Sequence, residues 1–173
     1  MNITQHLQRN ALHTPDCEST ICGDRVRNWR ETRERVARLA GALRSLGVAS
    51  GDRVAILSLN SDRFVEYLFA VPWADAVINP VNIRWSPGEI AYSLQDSGTS
   101  VLFVDDAFAA MLPALRAQVP GLRTVVHCGD GTTPEGALDY ESLIAEHAPI
   151  DVARRSGEAL AGILYTGGTT GNP

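Results

Sequence analysis

Short apolar runs alternate with helical patterns along the sequence, and this alternation is the feature that most constrains the fold. The run at residues 54–59 is too continuously apolar for a half-exposed strand, so it predicts a buried parallel one. Shorter strands are predicted at residues 77–78, 101–104 and 124–127. Strands that alternate with helices pair in parallel, with right-handed crossovers and helices on both faces. The sequence therefore predicts an α/β fold with a mainly parallel sheet flanked by helices.

Two helices carry clear start signals. Asn28 with Glu31, and Ser86 with Glu89, have the spacing of capping boxes, and Gly47 offers a left-handed stop to the first helix. The polar face of that first helix mixes glutamates with arginines, so we expect a solvated face and not a nucleic-acid patch. Its charged residues are Arg30, Glu34, Arg35, Arg38 and Arg44.

The remaining elements follow from periodicity and from turn residues. Residues 20–22 and 26–28 around a Gly-Asp-Arg turn predict a small N-terminal hairpin. Asn60 or Ser61 can cap a helix that Pro72 kinks or ends, and Pro113 interrupts another apolar helical pattern. Further helices are predicted at residues 4–12, 107–119 and 140–147, and residues 129–136 have the composition of a loop.

Composition narrows the functional classes. A chain of 173 residues with a net charge of −5 does not attract nucleic acid or an anionic membrane. No apolar run approaches the roughly 20 residues of a membrane helix, and the polar start has no signal-peptide core. We therefore expect a cytoplasmic protein with no transmembrane segment and no nucleic-acid partner.

The cysteines, histidines and lysines limit which disulfides, metal sites and catalytic groups this chain can contain. Three cysteines without a C-x-x-C pair predict reduced structural thiols, and four scattered histidines lack metal-ligand spacing. All 15 basic residues are arginines. Any chemistry that needs a lysine therefore lies outside these residues.

The last stretch passes abruptly from apolar residues to glycines and hydroxyls. Residues 160–164 predict a buried strand that opens into a loop at residues 165–173. Glycines leave backbone N–H groups uncovered, so consecutive amides can converge on an anion, and threonine hydroxyls add further donors. The pattern indicates a phosphate-binding loop; a solvated Gly/Thr turn is the alternative.

Two common phosphate loops do not match this stretch. In a Walker A motif a lysine follows the second glycine, but Gly168 stands where that lysine should be when the count starts at Gly162. The G-x-G-x-x-G pattern of dinucleotide-binding proteins fails because Gly167 and Gly168 are adjacent.

The string YTGGTTGNP closely resembles the YT[SG]GTTG-x-P-K-G loop of the adenylate-forming enzymes, which include acyl-CoA synthetases, peptide-synthetase adenylation domains and luciferases. The similarity extends over the chain from about Ala11. The segments NWRETRERVARLAGALRSLGVASGDRVAIL and FAVPWADAVINPVNIRWSPGEIAYSLQDSGTSVLFVDD resemble fatty-acyl-CoA ligases in particular. One departure is Asp75, where many relatives have glycine, so we expect a remodelled turn.

The resemblance implies an ATP-dependent ligase that activates a carboxylic acid, with a fatty acid expected, as acyl-AMP and transfers it to CoA. The resemblance also implies that one set of loop residues holds the β- and γ-phosphates of ATP, and that Thr166 lies near Mg²⁺. That set is Thr166, Gly167, Gly168, Thr169, Thr170 and Gly171. Asn82 and Arg84 match an N-x-R pair of acyl-CoA ligases, for which we expect a structural role.

The resemblance also implies two functional lysines, and this chain contains neither. We therefore expect residues 1–173 to be a partial N-terminal domain of an acyl-CoA synthetase that lacks the C-terminal domain, has no catalytic residue of its own and is inactive alone. A non-catalytic truncated module is the contrasting hypothesis. Part of a peptide-synthetase adenylation domain or of a luciferase-like enzyme is the alternative within the enzymes.

Overall fold

A computed structural model shows an α/β fold and describes residues 3–154 and 157–166. The strands are β1 (Glu18–Cys22), β2 (Arg25–Asn28), β3 (Arg53–Leu57), β4 (Val77–Pro80), β5 (Val101–Val104), β6 (Thr124–His127) and β7 (Leu138–Asp139). The α-helices are α1 (Gln5–His13), α2 (Trp29–Ser45), α3 (Asp62–Trp73), α4 (Pro87–Asp96), α5 (Leu112–Gln118) and α6 (Tyr140–Glu146).

The central sheet confirms the predicted parallel architecture. Its five strands lie in the order β4-β3-β5-β6-β7, and every neighbouring pair is parallel. The predicted hairpin is also present, because β1 and β2 pair antiparallel outside this sheet. Strand β7 was not predicted, since two residues are too few to produce a pattern.

Both faces of the sheet are buried, as the apolar strands predicted. Val54 and Ile56 of β3 join a core with α1, α2, α3 and α6, whereas Ala55 and Leu57 join a second core with α4 and α5. Successive strand residues point to opposite faces, so only a strand covered on both sides needs apolar residues throughout.

Helix boundaries follow the local signals. Both capping boxes are formed; in the first, Asn28 Oδ1 accepts a hydrogen bond of 2.9 Å from the Glu31 amide. Ser61 caps α3, which ends one residue after Pro72. The pattern at residues 107–119 is divided into a short 3-10 turn, Ala109–Met111, and α5, with Pro113 in the first turn of α5. No described helix has the length and apolar character needed to cross a membrane.

The solvated face predicted for α2 is wrong for two of its arginines. The Arg35 side chain is 18 % exposed and donates to Glu66 at 2.6 Å and to Glu141 at 2.7 Å. Arg38 donates to the carbonyl of His147 at 3.0 Å. The prediction failed because α3 and α6 pack along this side of the helix, which the local charge pattern does not reveal.

The buried strand predicted at residues 160–164 is also wrong. Leu160 and Leu164 are 52 % and 69 % exposed, and the segment makes a single parallel bridge between Gly162 and Ile78. It lies beside the edge strand β4, where one side of the pairing is open to solvent. An apolar run alone does not distinguish a central strand from such an edge segment.

The turn before β4 has a glycine-like backbone at Asp75, so the remodelling expected from the departure from glycine is not seen. Asp75 has φ = +63°, the left-handed conformation that glycine adopts most easily. Its carbonyl accepts a hydrogen bond from the Gly51 amide at 2.8 Å. The backbone thus keeps a glycine-like turn although the residue has a side chain.

Candidate functional site

The stem, defined here as residues 161–166, leads into the predicted phosphate loop. The Ile78 amide donates to the Ala161 carbonyl at 3.1 Å, and the Ile163 amide donates to the Ile78 carbonyl at 2.9 Å. These two bonds place the stem parallel to β4. The sheet therefore holds the start of the stem through backbone hydrogen bonds.

Gly162 allows the close approach of the stem to β4. A Cβ atom at this position would lie 2.7 Å from Ile78 Cγ1, which is shorter than real carbon contacts. The absence of a side chain at residue 162 therefore has a packing reason, independent of any ligand.

Tyr165 attaches the far end of the stem to the region of α4. Its hydroxyl donates to Asp96 Oδ2 at 2.5 Å, and its ring lies edge-on to Trp85 with centroids 6.4 Å apart. Burial and the hydrogen bond to Asp96 raise the pKa of the Tyr165 hydroxyl to about 12. At neutral pH this hydroxyl keeps its proton and can donate it to the carboxylate.

Thr166 is exposed and lies at the end of the described stem. The other predicted phosphate-binding residues, Gly167, Gly168, Thr169, Thr170 and Gly171, lie outside the described residues. Their role, and that of Thr166 near Mg²⁺, stays a prediction from the motif. The described residues contain no group of three or more His, Cys, Asp or Glu side chains that could hold a metal ion.

The sheet order defines a switch point between β3 and β5, because the chain goes from β3 to β4 on one side and then crosses to β5 on the other. Ligands of open α/β sheets bind beyond the carboxyl ends of strands at such points. Here the Asp105 carboxylate accepts hydrogen bonds from Ser58 Oγ at 3.1 Å and from the Leu59 amide at 2.7 Å. This carboxylate ties the two strand ends together.

A cavity of about 300 Å³ opens beside these residues, at the carboxyl ends of β3 and β4. It is lined by Ser58, Leu59, Asn60, Phe64, Val81, Asn82 and Ile83. Asn82 Oδ1 accepts from the Arg84 amide at 3.0 Å, which agrees with the structural role expected for Asn82. The Arg84 side chain is exposed, and its expected role stays a prediction.

His127 and Asp106 form a pair at the carboxyl end of β6 that the sequence did not predict. His127 is buried, its Nε2 lies 2.9 Å from Asp106 Oδ1, and its Nδ1 has no partner among the described residues. The amides of Asp130 and Gly131 also donate to the Asp106 carboxylate, at 2.8 and 3.0 Å. Burial raises the pKa of Asp106, but the hydrogen bonds to its carboxylate outweigh burial, so the net effect is a lowered pKa.

The three cysteines differ in their burial, and their reduced state stays a prediction. All three are free: Cys17 is exposed, Cys22 is half-buried and Cys128 is buried. Burial, with the nearby charge of Asp105, raises the pKa of Cys128 to about 12. A thiol with so high a pKa is unreactive as a nucleophile at neutral pH.

The strongest electrostatic interactions lie in an ion-pair network between β2, α2, α3 and α6. Its members are Arg25, Arg27, Arg35, Asp62, Arg63, Glu66 and Glu141, with Asp130 of the loop after β6 paired to Arg25 and Arg63. Burial raises the pKa of Asp62, but hydrogen bonds and charges from Arg25 and Arg27 outweigh it and lower that pKa to about 2. Perturbed pKa values mark candidate active sites, but here the acids are paired with arginines. The arrangement indicates a structural network.

The comparisons with known proteins identify the family. The sequence profile of the AMP-binding enzyme family matches residues 7–173, so the chain belongs to that family. Relatives include a long-chain-fatty-acid–CoA ligase of Thermus thermophilus, 41 % identical over 94 % of this chain and 28 % of that protein. A fatty acid–[acyl-carrier-protein] ligase, ScoC, of Streptomyces coeruleorubidus is 33 % identical over 99 % of this chain and 31 % of that protein.

A solved structure shows the same fold. The anthranilate CoA ligase AuaEII, in complex with anthranoyl-AMP, aligns with all of this chain and 33 % of its own length, at a TM-score of 0.94 and 28 % identity. The chain therefore spans about a third or less of the length of these three proteins. Its fold is that of the N-terminal part of an adenylate-forming ligase.

Sequence reasoning missed the partners of Tyr165. The motif contains Tyr165, but Asp96 and Trp85 lie 69 and 80 residues earlier in the chain. Nothing in the spacing of these residues indicates that they meet. The sequence predicted the capped helix between Trp85 and Asp96, but not that Tyr165 packs against both of its ends.

Proposed function

We propose that this chain is the N-terminal portion of an AMP-forming acid–thiol ligase, and that residues 165–173 form its phosphate-binding loop. The match of residues 7–173 to the AMP-binding enzyme family carries the proposal. The motif YTGGTTGNP supports the assignment of the loop. We propose the cytoplasm as its location.

In the proposed reaction a carboxylate oxygen attacks the α-phosphate of ATP, which releases pyrophosphate and gives acyl-AMP. A thiol sulfur then attacks the acyl carbon and AMP leaves. Such chemistry depends on positioning and on charge stabilisation. The backbone amides of Gly167–Gly171 and the hydroxyls of Thr166, Thr169 and Thr170 would hold the β- and γ-phosphates.

Mg²⁺ would accompany ATP and reduce the charge of the triphosphate. The exposed hydroxyl of Thr166 suits a contact near this ion, because magnesium takes oxygen ligands and is usually held by substrate phosphates and a few protein oxygens. The carboxylates that complete such a site would come from residues beyond this chain, as would the two lysines.

We propose a fatty acid as the substrate and CoA as the acceptor. The name of the 41 % identical relative from Thermus thermophilus supports both. The ScoC relative, named as a fatty acid–[acyl-carrier-protein] ligase, supports a carrier-protein thiol as the second candidate acceptor. Incubating the ligase with acyl-AMP and equal concentrations of CoA or a phosphopantetheinyl carrier protein separates the two, because the preferred acceptor gives the faster release of AMP.

Carboxylate-dependent exchange of pyrophosphate into ATP tests the proposed activity. The polypeptide that continues this reading frame past Pro173 should exchange with a fatty acid, whereas the 173-residue chain should not, because it has no lysine. A stop codon after Pro173 would favour the non-catalytic module. Robust exchange by the 173-residue chain would contradict the placement of the chemistry beyond it.

A substitution at Gly168 tests the phosphate loop. Gly168→Val should lower the exchange rate of the ligase by at least about tenfold, because a branched side chain would block close approach of the backbone to a phosphate. Gly121→Val is the matched control, since a Cβ at Gly121 meets no atom within 4 Å. Normal exchange by a folded Gly168→Val enzyme would contradict the assignment.

Binding of ATP to the 173-residue chain tests whether the loop is sufficient. The chain's net charge of −5 opposes an anion, and a few backbone donors contribute about 1 kcal/mol each against the cost of association. We expect a dissociation constant of about a millimolar or weaker for Mg-ATP. Saturable micromolar binding in a calorimetric titration would show that this chain contains a complete nucleotide site.

A further inference from the structure

We propose that Tyr165, through its contacts with Asp96 and Trp85, is a positioning residue that fixes the entry of the phosphate loop. The proposal rests on the ligase function proposed above and adds a role to a residue outside the set assigned to the phosphates. The side chain stands directly before Thr166, the first residue of the proposed phosphate contacts. Its position determines where that chain segment starts.

Within the part of the chain that the structure describes, the stem makes few other contacts at its far end. Its two backbone hydrogen bonds to β4 both involve Ile78, and neither lies beyond Ile163. Leu164 is 69 % exposed and Thr166 is exposed. Among the described residues, Tyr165 is therefore the one between Ile163 and Thr166 whose side chain connects the stem to the body of the domain.

The contacts of Tyr165 fix both the direction and the depth of its side chain. The ring is half-buried against the core formed with α4 and α5, where it meets Trp85 edge-on. The hydroxyl donates to the Asp96 carboxylate at 2.5 Å. A hydrogen bond to a charged group is about twice as strong as a neutral one, so this contact restrains the stem more than an ordinary tyrosine hydroxyl would.

The two partners belong to one rigid unit. Trp85 directly precedes the N-cap of α4, which a full capping box fixes, and Asp96 is the last residue of the same helix. Both ends of α4 therefore determine the position of one tyrosine. A loop that must present its amides to a phosphate benefits from such fixation, because ordering it during binding would weaken the affinity.

Steady-state kinetics of pyrophosphate exchange in the full-length ligase test the proposal. Tyr165→Phe removes the hydroxyl but keeps the ring, and Asp96→Ala removes the acceptor. Each should raise KM for ATP by about tenfold, which corresponds to the loss of one hydrogen bond to a charged group, and should leave KM for the carboxylic acid within about twofold. The double variant should be no worse than either single variant, because both remove the same bond.

Tyr92→Phe is the matched control. Tyr92 is an exposed tyrosine on the same helix, near enough to Tyr165 to raise its pKa slightly, but Tyr92 does not hydrogen-bond to Tyr165 or Asp96 among the described residues. It should leave both KM values unchanged. Asp96 is exposed, so its replacement tests the hydrogen bond without opening a buried site.

Two outcomes would overturn the proposal in an active ligase. One is an unchanged KM for ATP in both variants; the other is an equal rise in KM for ATP and for the acid, which would indicate a general structural defect. If the wild-type ligase shows no carboxylate-dependent exchange, the proposed function fails, and hydrogen exchange of the Ile163 amide then decides the role of Tyr165. Faster exchange in Tyr165→Phe supports the fixation of the stem, and an unchanged rate overturns it.

Discussion

The ion-pair network and the stem differ in how they are held. The network joins the hairpin to α2, α3 and α6 through arginines and carboxylates, and the Glu66 side chain within it is 1 % exposed. Among the described residues, the stem is joined to the sheet by two backbone hydrogen bonds at Ile78 and to α4 by one tyrosine. This difference implies that stability and functional geometry depend on separate residues, so each can be perturbed with little effect on the other.

Glu66→Gln should have the largest effect on stability. The Glu66 carboxylate accepts hydrogen bonds from Arg35 at 2.6 Å and from the Tyr140 hydroxyl at 2.7 Å. Neutralising it removes one of the two carboxylates that pair with Arg35, while Glu141 remains, so we expect a loss of about 1.5–3 kcal/mol of unfolding free energy. Urea unfolding of the variant and the wild type measures the loss.

The control for this substitution is Glu34→Gln on the exposed face of α2. Glu34 is 47 % exposed and pairs with Arg38 one turn away. Such a pair contributes about 0.3–0.5 kcal/mol, so the control should unfold almost as the wild type does. If Glu66→Gln and Glu34→Gln lost equal stability, the buried ion pairs of the network would contribute no more than an exposed pair on α2.

Acid should weaken the network through Asp62. Its folded pKa of about 2 lies below the ordinary value of about 3.9, so its contribution is present above about pH 4 and is lost as the pH falls towards about 2. We expect the wild type to lose on the order of 2 kcal/mol over this range, more than Asp62→Asn does. Urea unfolding at several pH values tests this, and parallel curves for the two proteins would refute it.

Substitutions at Asp75, in the turn before β4 and outside the network, should have a smaller effect on stability. Asp75→Ala should be less stable than Asp75→Gly by about 1 kcal/mol, because alanine tolerates φ = +63° poorly. Both variants lose the same side-chain contacts, so their difference isolates the backbone conformation. Equal thermal midpoints of the two variants would show that the turn relaxes without strain.

Gly162→Ala should have the smallest effect on stability and a clear local one. The new Cβ would lie 2.7 Å from Ile78 Cγ1, so the stem should move away from β4. We expect a change of less than about 0.5 kcal/mol in unfolding free energy and about tenfold faster hydrogen exchange at the Ile163 amide. Gly121→Ala, in open space, is the control, and a loss above about 2 kcal/mol in Gly162→Ala would show that the stem carries stability.

The sequence predicted those features whose cause is local. The capping boxes at Asn28 and Ser86 need residues only three positions apart, and strands buried on both faces show themselves by continuous apolar runs. The network could not be predicted because Arg35 meets Glu141 across 106 residues. The apolar run at residues 160–164 misled for a related reason, since burial depends on neighbours that a local pattern does not contain.

For the candidate site, the sequence motif predicted the phosphate-binding residues, and the structure showed one contact that attaches the stem to α4. The glycine and threonine string is recognisable from sequence because its chemistry lies in consecutive backbone groups. The contact of Tyr165 with Asp96 depends on how the stem meets α4 and leaves no trace in the spacing.

The burial of Cys128 at the end of β6 gives the protein an internal chemical reporter. A thiol reagent at neutral pH should modify Cys17 and Cys22 in the folded chain, because these side chains are exposed or half-buried. Cys128 is 3 % exposed and holds its proton, so it reacts only when this end of the sheet opens. Mass spectrometry can follow how fast a third label appears. This rate measures how often this end of the sheet opens, in the protein without any substitution.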